Sequence, residues 1–135
     1  MIEYAVRARL LADPGVAALV GTKVSSQPLP QGTLPPAITF QVVSLNEAAR
    51  TIDEGASPVR ERIQIDCWGR TYTEAVNVES AVAGALNGFR GPVAINANSV
   101  ADIHGAFRQN RVDQFESDTK LHRVIADYFV TAQAA

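Results

Sequence analysis

The sequence predicts an α+β fold: a mainly antiparallel four-stranded sheet with short extra edge strands, flanked by an N-terminal helix and a longer central helix. Three observations point there. From Arg60 to Trp68 the side chains alternate, with Ile63, Ile65 and Cys67 on one face and Arg62, Gln64, Asp66 and Trp68 on the other, which is the period of a strand. Gly69 then turns the chain into Thr71-x-x-Glu74, a capping box whose two side chains satisfy orphan backbone donors of a new helix. Finally, Leu121–Thr131 sets Val124, Ala126, Tyr128 and Val130 against Leu121, Ile125 and Phe129. Both faces are apolar, as expected of a central strand covered on both sides.

Each element follows in order. Ile2–Ala12 reads as a first helix, with Ile2, Ala5, Val6, Leu10 and Leu11 towards a core. Asp13-Pro14-Gly15 ends it and starts a second short piece, Val16–Val20, because Asp suits the N-cap and Pro the first helical position. Lys23–Gln27 is a short edge strand, followed by a stiff connection with Pro28, Pro30, Pro35 and Pro36 that cannot join a central strand. Ala37–Leu45 is a strand with Ile38, Phe40 and Val42 against Thr39, Gln41 and Val43.

An extended loop, residues 46–59, then leads into Arg60–Trp68. It exceeds the usual hairpin length, which marks it as a solvated loop or an arm that orders against a neighbour. Tyr72–Asn87 is the strongest helix, with Ala75, Val78, Val82, Ala85 and Leu86 at helical spacing and Asn87-Gly88 as its stop. Val93–Ile95 makes another short edge piece. Val100–Phe107 is a strand with a bulge at Gly105, its pairing running on towards Phe115, and Glu116–Thr119 turns the chain into the last strand.

With 135 residues, 47% hydrophobic and 19% charged, the chain is a single globular domain, 1–135. Twelve basic against 14 acidic side chains give a net charge of −2, and no Lys/Arg run stands out, which argues against a nucleic-acid binder. The lone cysteine, Cys67, excludes an internal disulfide and reads as a small core residue. No apolar run reaches membrane-spanning length, and the N-terminus lacks the basic start of a signal peptide.

No cluster looks catalytic. His104 and His122 have no metal-ligand spacing around them, and surface exposure is the simple expectation for His122. Asp66 points to the opposite face from Cys67, and Asp53-Glu54 sits among small polar residues that favour solvation. Neither a cofactor nor an enzymatic role is expected. Trp68, the only tryptophan, either lies under the loop and the N-terminal helix or anchors an interface; if buried, its N–H needs a partner.

Four segments, in this order, carry a family resemblance: Leu11–Gly21, Leu34–Phe40, Arg62–Ala75 and Leu121–Phe129. Together they resemble the tail terminator, or tail completion, proteins of long non-contractile phage tails and of gene transfer agents. The likeness spans nearly the whole chain and is weakest over Val93–Asn98. It implies a structural virion protein that forms a homo-hexameric ring at the head-proximal end of the tail. Such a ring stops tube growth and joins the head connector. The implied partners are further copies of itself, the major tail tube protein and the head-tail connector or neck protein. The resemblance further implies a lumen through which DNA can pass without sequence-specific binding, no membrane partner, and synthesis in the host cytoplasm.

On that reading residues 46–59 project towards the tube or a neighbouring subunit. The candidates for inter-subunit contacts are Glu47, Arg50, Asp53, Glu54, Arg60, Arg62, Asp66 and Trp68. The nearest alternative is a head-completion or neck connector ring, and the distant one a small-ligand-binding or enzymatic α+β domain.

Overall fold

The computed structural model describes residues 2–47 and 58–134. Three helices and six strands follow in the order α1 (Ile2–Ala12), α2 (Pro14–Val20), β1 (Val24–Ser26), β2 (Ala37–Glu47), β3 (Val59–Gly69), α3 (Tyr72–Leu86), β4 (Gly91–Asn96), β5 (Ser99–Glu116) and β6 (Leu121–Ala134). All six strands form one sheet in the order β1-β2-β3-β6-β5-β4.

That sheet corrects the expected four-stranded, mainly antiparallel one. It is a mixed, half-barrel sheet, and strand makes up 50% of the structure. β1 runs parallel to β2, with Val24 opposite Ile38 and Ser26 opposite Phe40. The proline-bearing connection between them is long enough to return the chain to the end where β1 began, so β2 starts in the same direction. β4 is a full member of the sheet. Asn96 Oδ1 accepts the N–H of Asn98 at 2.8 Å and closes a two-residue turn, which sets Asn96 opposite Ser99 of β5.

β5 runs unbroken to Glu116, past the expected Val100–Phe107 core and along its expected extension, and β6 runs three residues beyond Thr131. The two pair antiparallel from Ala101–Ala134 to Glu116–Leu121. A bulge falls between Ile103 and Gly105, where the glycine suggested one, and a second lies between Arg108 and Asn110. β2 and β3 pair up to Glu47 and Val59, so strand takes in both ends of the segment read as a loop. Residues 48–57 lie outside the described residues.

The three helices cover one face of the sheet. Ile2, Val6 and Leu10 of α1, Val16 and Val20 of α2, and Val78, Val82 and Leu86 of α3 are all buried. They meet Ile63, Ile65 and Cys67 of β3 and Val124, Ala126, Tyr128 and Val130 of β6 in one core. Each buried Val, Leu or Ile side chain contributes about 1.5–3 kcal/mol by leaving water.

Local chemistry starts the helices where the sequence indicated. Asp13 Oδ2 accepts the N–H of Val16 at 3.0 Å, capping α2. Thr71 Oγ1 accepts the N–H of Glu74 at 3.1 Å, and Glu74 Oε1 reaches back to the N–H of Arg70 at 2.9 Å, one residue before the usual capping-box position. The strand-to-helix turn needs Gly69, because a Cβ there would lie 2.5 Å from the backbone nitrogen of Ala75.

Candidate assembly surface

The face of the sheet opposite the helices is built from alternate residues of neighbouring strands. Register places Arg62 opposite Phe129, Gln64 opposite Asp127 and Asp66 opposite Ile125. It then sets Phe107 opposite Phe129 and Val112 opposite Ile125. This corrects the expectation that β6 is covered on both sides: Ile125 and Phe129 are half-buried with no helix over them. Phe107 and Val112 beside them are 56% and 52% exposed.

Arginines lie across this face, each held by a partner. The Arg60 guanidinium sits 4.1 Å above the Phe129 ring centroid. Arg62 Nη2 meets Asp127 Oδ2 at 2.5 Å. The Arg123 guanidinium lies 4.9 Å over the Trp68 ring, and its Nη1 is 3.3 Å from Asp66 Oδ2. Arg123 Nη2 also donates to Gln114 Oε1.

Asp66 itself is fully buried. Its carboxylate accepts from Gln27 Nε2 at 2.6 Å and from Gln64 Nε2 at 3.0 Å, besides the contact with Arg123. Burial pushes its pKa up; the bonds from Gln64 and Gln27 and the charge of Arg123 act the other way. Trp68 is buried too, and its Nε1–H donates to Thr39 Oγ1 at 2.9 Å, the partner that burial required. A groove of about 420 Å³ beside it is lined by Pro28, Leu29, Pro30, Glu116, Thr119 and Leu121. The proline-bearing segment therefore borders the indole, on the face away from α1.

The candidate residues thus fall into three groups. Arg60 and Arg62 reach solvent on the helix-free face near the open end of the β2–β3 pair. Asp66 and Trp68 share that face but are buried in contacts within the subunit, Trp68 beside the proline-bearing segment rather than under α1. Glu47 ends β2 opposite Val59, while Arg50, Asp53 and Glu54 lie outside the described residues. Among the described residues no group of His, Cys, Asp and Glu is placed to hold a metal ion, and no helix is long and apolar enough to cross a membrane. His122 is half-buried rather than exposed, its ring 4.9 Å from Phe115 and 6.2 Å from Tyr72.

Sequence reasoning carried the pairing of β5 on towards Phe115 but missed what ties the far half of the β5–β6 hairpin to the helices. Arg108 Nη1 meets Glu79 Oε1 of α3 at 2.5 Å, and Arg111 Nη1 lies 3.9 Å from Glu79 Oε2. Tyr72 O–H donates to Asp113 Oδ2 at 2.8 Å. These bonds clamp an otherwise exposed strand to the helix. The available signal was Glu79 itself, an acid among the apolar positions Val78 and Val82 of α3.

The family model for tail completion protein gp17 matches residues 4–132. The chain belongs to this family. It is a structural tail protein of a phage or phage-like particle. A chain of the solved structure "Virion of native gene transfer agent (GTA) particle" is similar in fold, with a TM-score of 0.74 and 19% sequence identity. The match covers 98% of this chain and 94% of that one. No curated protein matches the sequence. For a tail completion protein, the face of interest is the one that the helices leave open.

Proposed function

We propose that this tail completion protein assembles into a closed homo-hexameric ring at the head-proximal end of the tail tube. There it stops addition of tube subunits and presents a surface to the head-tail connector. The observation that carries this reading is the helix-free sheet face. Phe107 and Val112 stand exposed beside half-buried Ile125 and Phe129 and between paired arginines, a mixed apolar and charged surface suited to contact with another protein.

The number six follows from the resemblance to tail terminators. Arg60, Arg62 and Glu47, with Arg50, Asp53 and Glu54 in the 46–59 segment, supply charged contacts to a neighbouring subunit or the tube. An exposed pair contributes only about 0–1 kcal/mol, but a ring repeats every contact around its circumference. Chemistry on a substrate has no part in this function; DNA passes through the lumen without being read.

Deletion of the gene tests the proposal. Overlong tails, or tails unattached to heads, are expected. Tailless heads accompanied by free tails of normal length contradict termination and fit a neck connector instead.

A further inference from the structure

The sheet has an open stretch of edge on each side, and the two are offset along the strands. On one side β1 covers β2 only as far as Phe40. From Gln41 to Glu47 no strand among the described residues pairs with the outer edge of β2. On the other side β4 covers β5 only as far as Ile103. The N–H of Gly88 then donates to Ala106 C=O at 2.6 Å, and Asn87 Oδ1 accepts the N–H of Arg108 at 3.0 Å. From Gln109 to Glu116 the outer edge of β5 carries no strand among the described residues.

Open edges are normally blunted by charge or proline, because their unpaired N–H and C=O groups recruit other strands. The β2 edge carries little of that protection before Glu47, whereas the β5 edge carries Arg111, Asp113 and Glu116. Gln41-Val42-Val43-Ser44-Leu45-Asn46 contains no charge, proline or glycine, and Val42 and Val43 are 41% and 43% exposed. On β5 the charges are already engaged. Arg111 Nε meets Asp113 Oδ1 at 3.2 Å, and Glu116 lies 3.6 Å from Arg123.

We propose that the β5 edge, Gln109–Glu116, of one copy pairs antiparallel with the β2 edge, Gln41–Glu47, of the next copy, continuing a single sheet around the ring. The occupant of each edge is thus a second copy of this chain; the inference rests on the ring reading and names its contact.

Strand direction supports it. β2, β3, β6 and β5 alternate through three antiparallel pairings, so β2 and β5 of one copy run in opposite directions. Rotation about a ring axis to which the strands are tilted preserves the sense of each strand along that axis. β5 therefore meets the next β2 antiparallel, and the alternation continues without a break.

The offset fits as well. Ser44 lies opposite Arg62, Arg62 opposite Phe129 and Phe129 opposite Phe107, which puts the open part of β2 level with the covered part of β5. Joining the two edges staggers each copy along the strands, the shear that a closed barrel of tilted strands requires. The contact is head-to-tail, the kind that closes rings rather than two-fold dimers.

Disulfide trapping tests this, because Cys67 is the sole cysteine and is buried. Ser44→Cys is combined in turn with Asn110→Cys, Val112→Cys and Gln114→Cys. These β5 positions are alternate residues on the face shared with Ser44, so a directly opposite pair falls within disulfide reach. The full chain is oxidised on tail-bearing particles and run on a non-reducing gel. At least one double variant is expected to give a ladder from dimer up to the closed ring, with every single variant remaining monomeric.

A ring visible on tubes with no ladder from any pair overturns the edge contact and leaves the ring reading intact. Dimers from Val112→Cys alone show β5 against β5 and also overturn it. Tubes bearing no ring overturn both. A Val43→Lys, Val112→Lys double variant, both positions being exposed, is expected to fold with an unchanged circular dichroism melt and to lose the ring; undiminished rings count against the contact.

Discussion

Arg108 of β5 places its Nη1 2.5 Å from Oε1 of Glu79 on α3, a carboxylate whose side chain is only 2% exposed. The pair joins the far half of the hairpin to the helix layer. Arg108→Ala leaves a buried carboxylate with only Arg111, 3.9 Å away, as a remaining cation. We expect a loss of about 3 kcal/mol in urea unfolding, the scale for breaking a buried pair from one side. Glu79→Gln keeps an acceptor without a charge to bury, and we expect about half that loss.

Trp68 and Thr39 form the equivalent tie on the other face. Thr39→Val strands a buried indole N–H, at a cost of about 1–3 kcal/mol. Adding Trp68→Phe removes the unpaired donor. The double variant should therefore lose less than the two single losses added together, and a double-mutant cycle reads this directly. Strict additivity would show that the 2.9 Å bond contributes nothing.

Glu61 gives a pH dependence. Burial, followed by the negative charge of Glu3, raises its pKa to about 7. The folded state thus holds a proton that the unfolded chain releases at an ordinary carboxylate pKa. Stability from this group is complete below the unfolded value near 4.5 and falls as pH rises towards 7. Glu61→Gln should flatten the decline in melting temperature across that window and raise stability at pH 8. An unchanged slope would remove Glu61 as its source.

Gly69→Ala should destabilise the protein by about 1–3 kcal/mol, since the added Cβ meets backbone atoms that cannot swing away. Thermal melts of Gly69→Ala and the helical control Gly84→Ala separate this from a general effect; a Cβ at Gly84 meets nothing within 4 Å.

The parts of the fold that follow from neighbours in the chain could be read in advance. Asp13, Thr71 and Glu74 cap helices through bonds spanning three or four residues, and α2 and α3 start where they direct. The parallel β1–β2 pairing could not, because strand direction depends on where a ten-residue connection returns the chain.

Alternation correctly placed Asp66 and Trp68 on the face away from Cys67 but carried no information about what borders that face. The cover comes from Gln27, Gln64, Arg123 and the proline-bearing segment, mostly distant in sequence. β5 beyond Arg108 has a single apolar residue on each face, Val112 and Phe115, too few to give a burial signal; its length is set by pairing with β6. The open edges became visible only once strand order was known.

The central claim is a ring that ends the tube. Purified protein mixed with purified tail tubes and imaged by electron microscopy tests it most directly. A sixfold ring seated on one end of each tube, with the other end and the tube wall bare, is the predicted result. Bare ends at saturating protein, or protein bound along the wall as single copies, would contradict it.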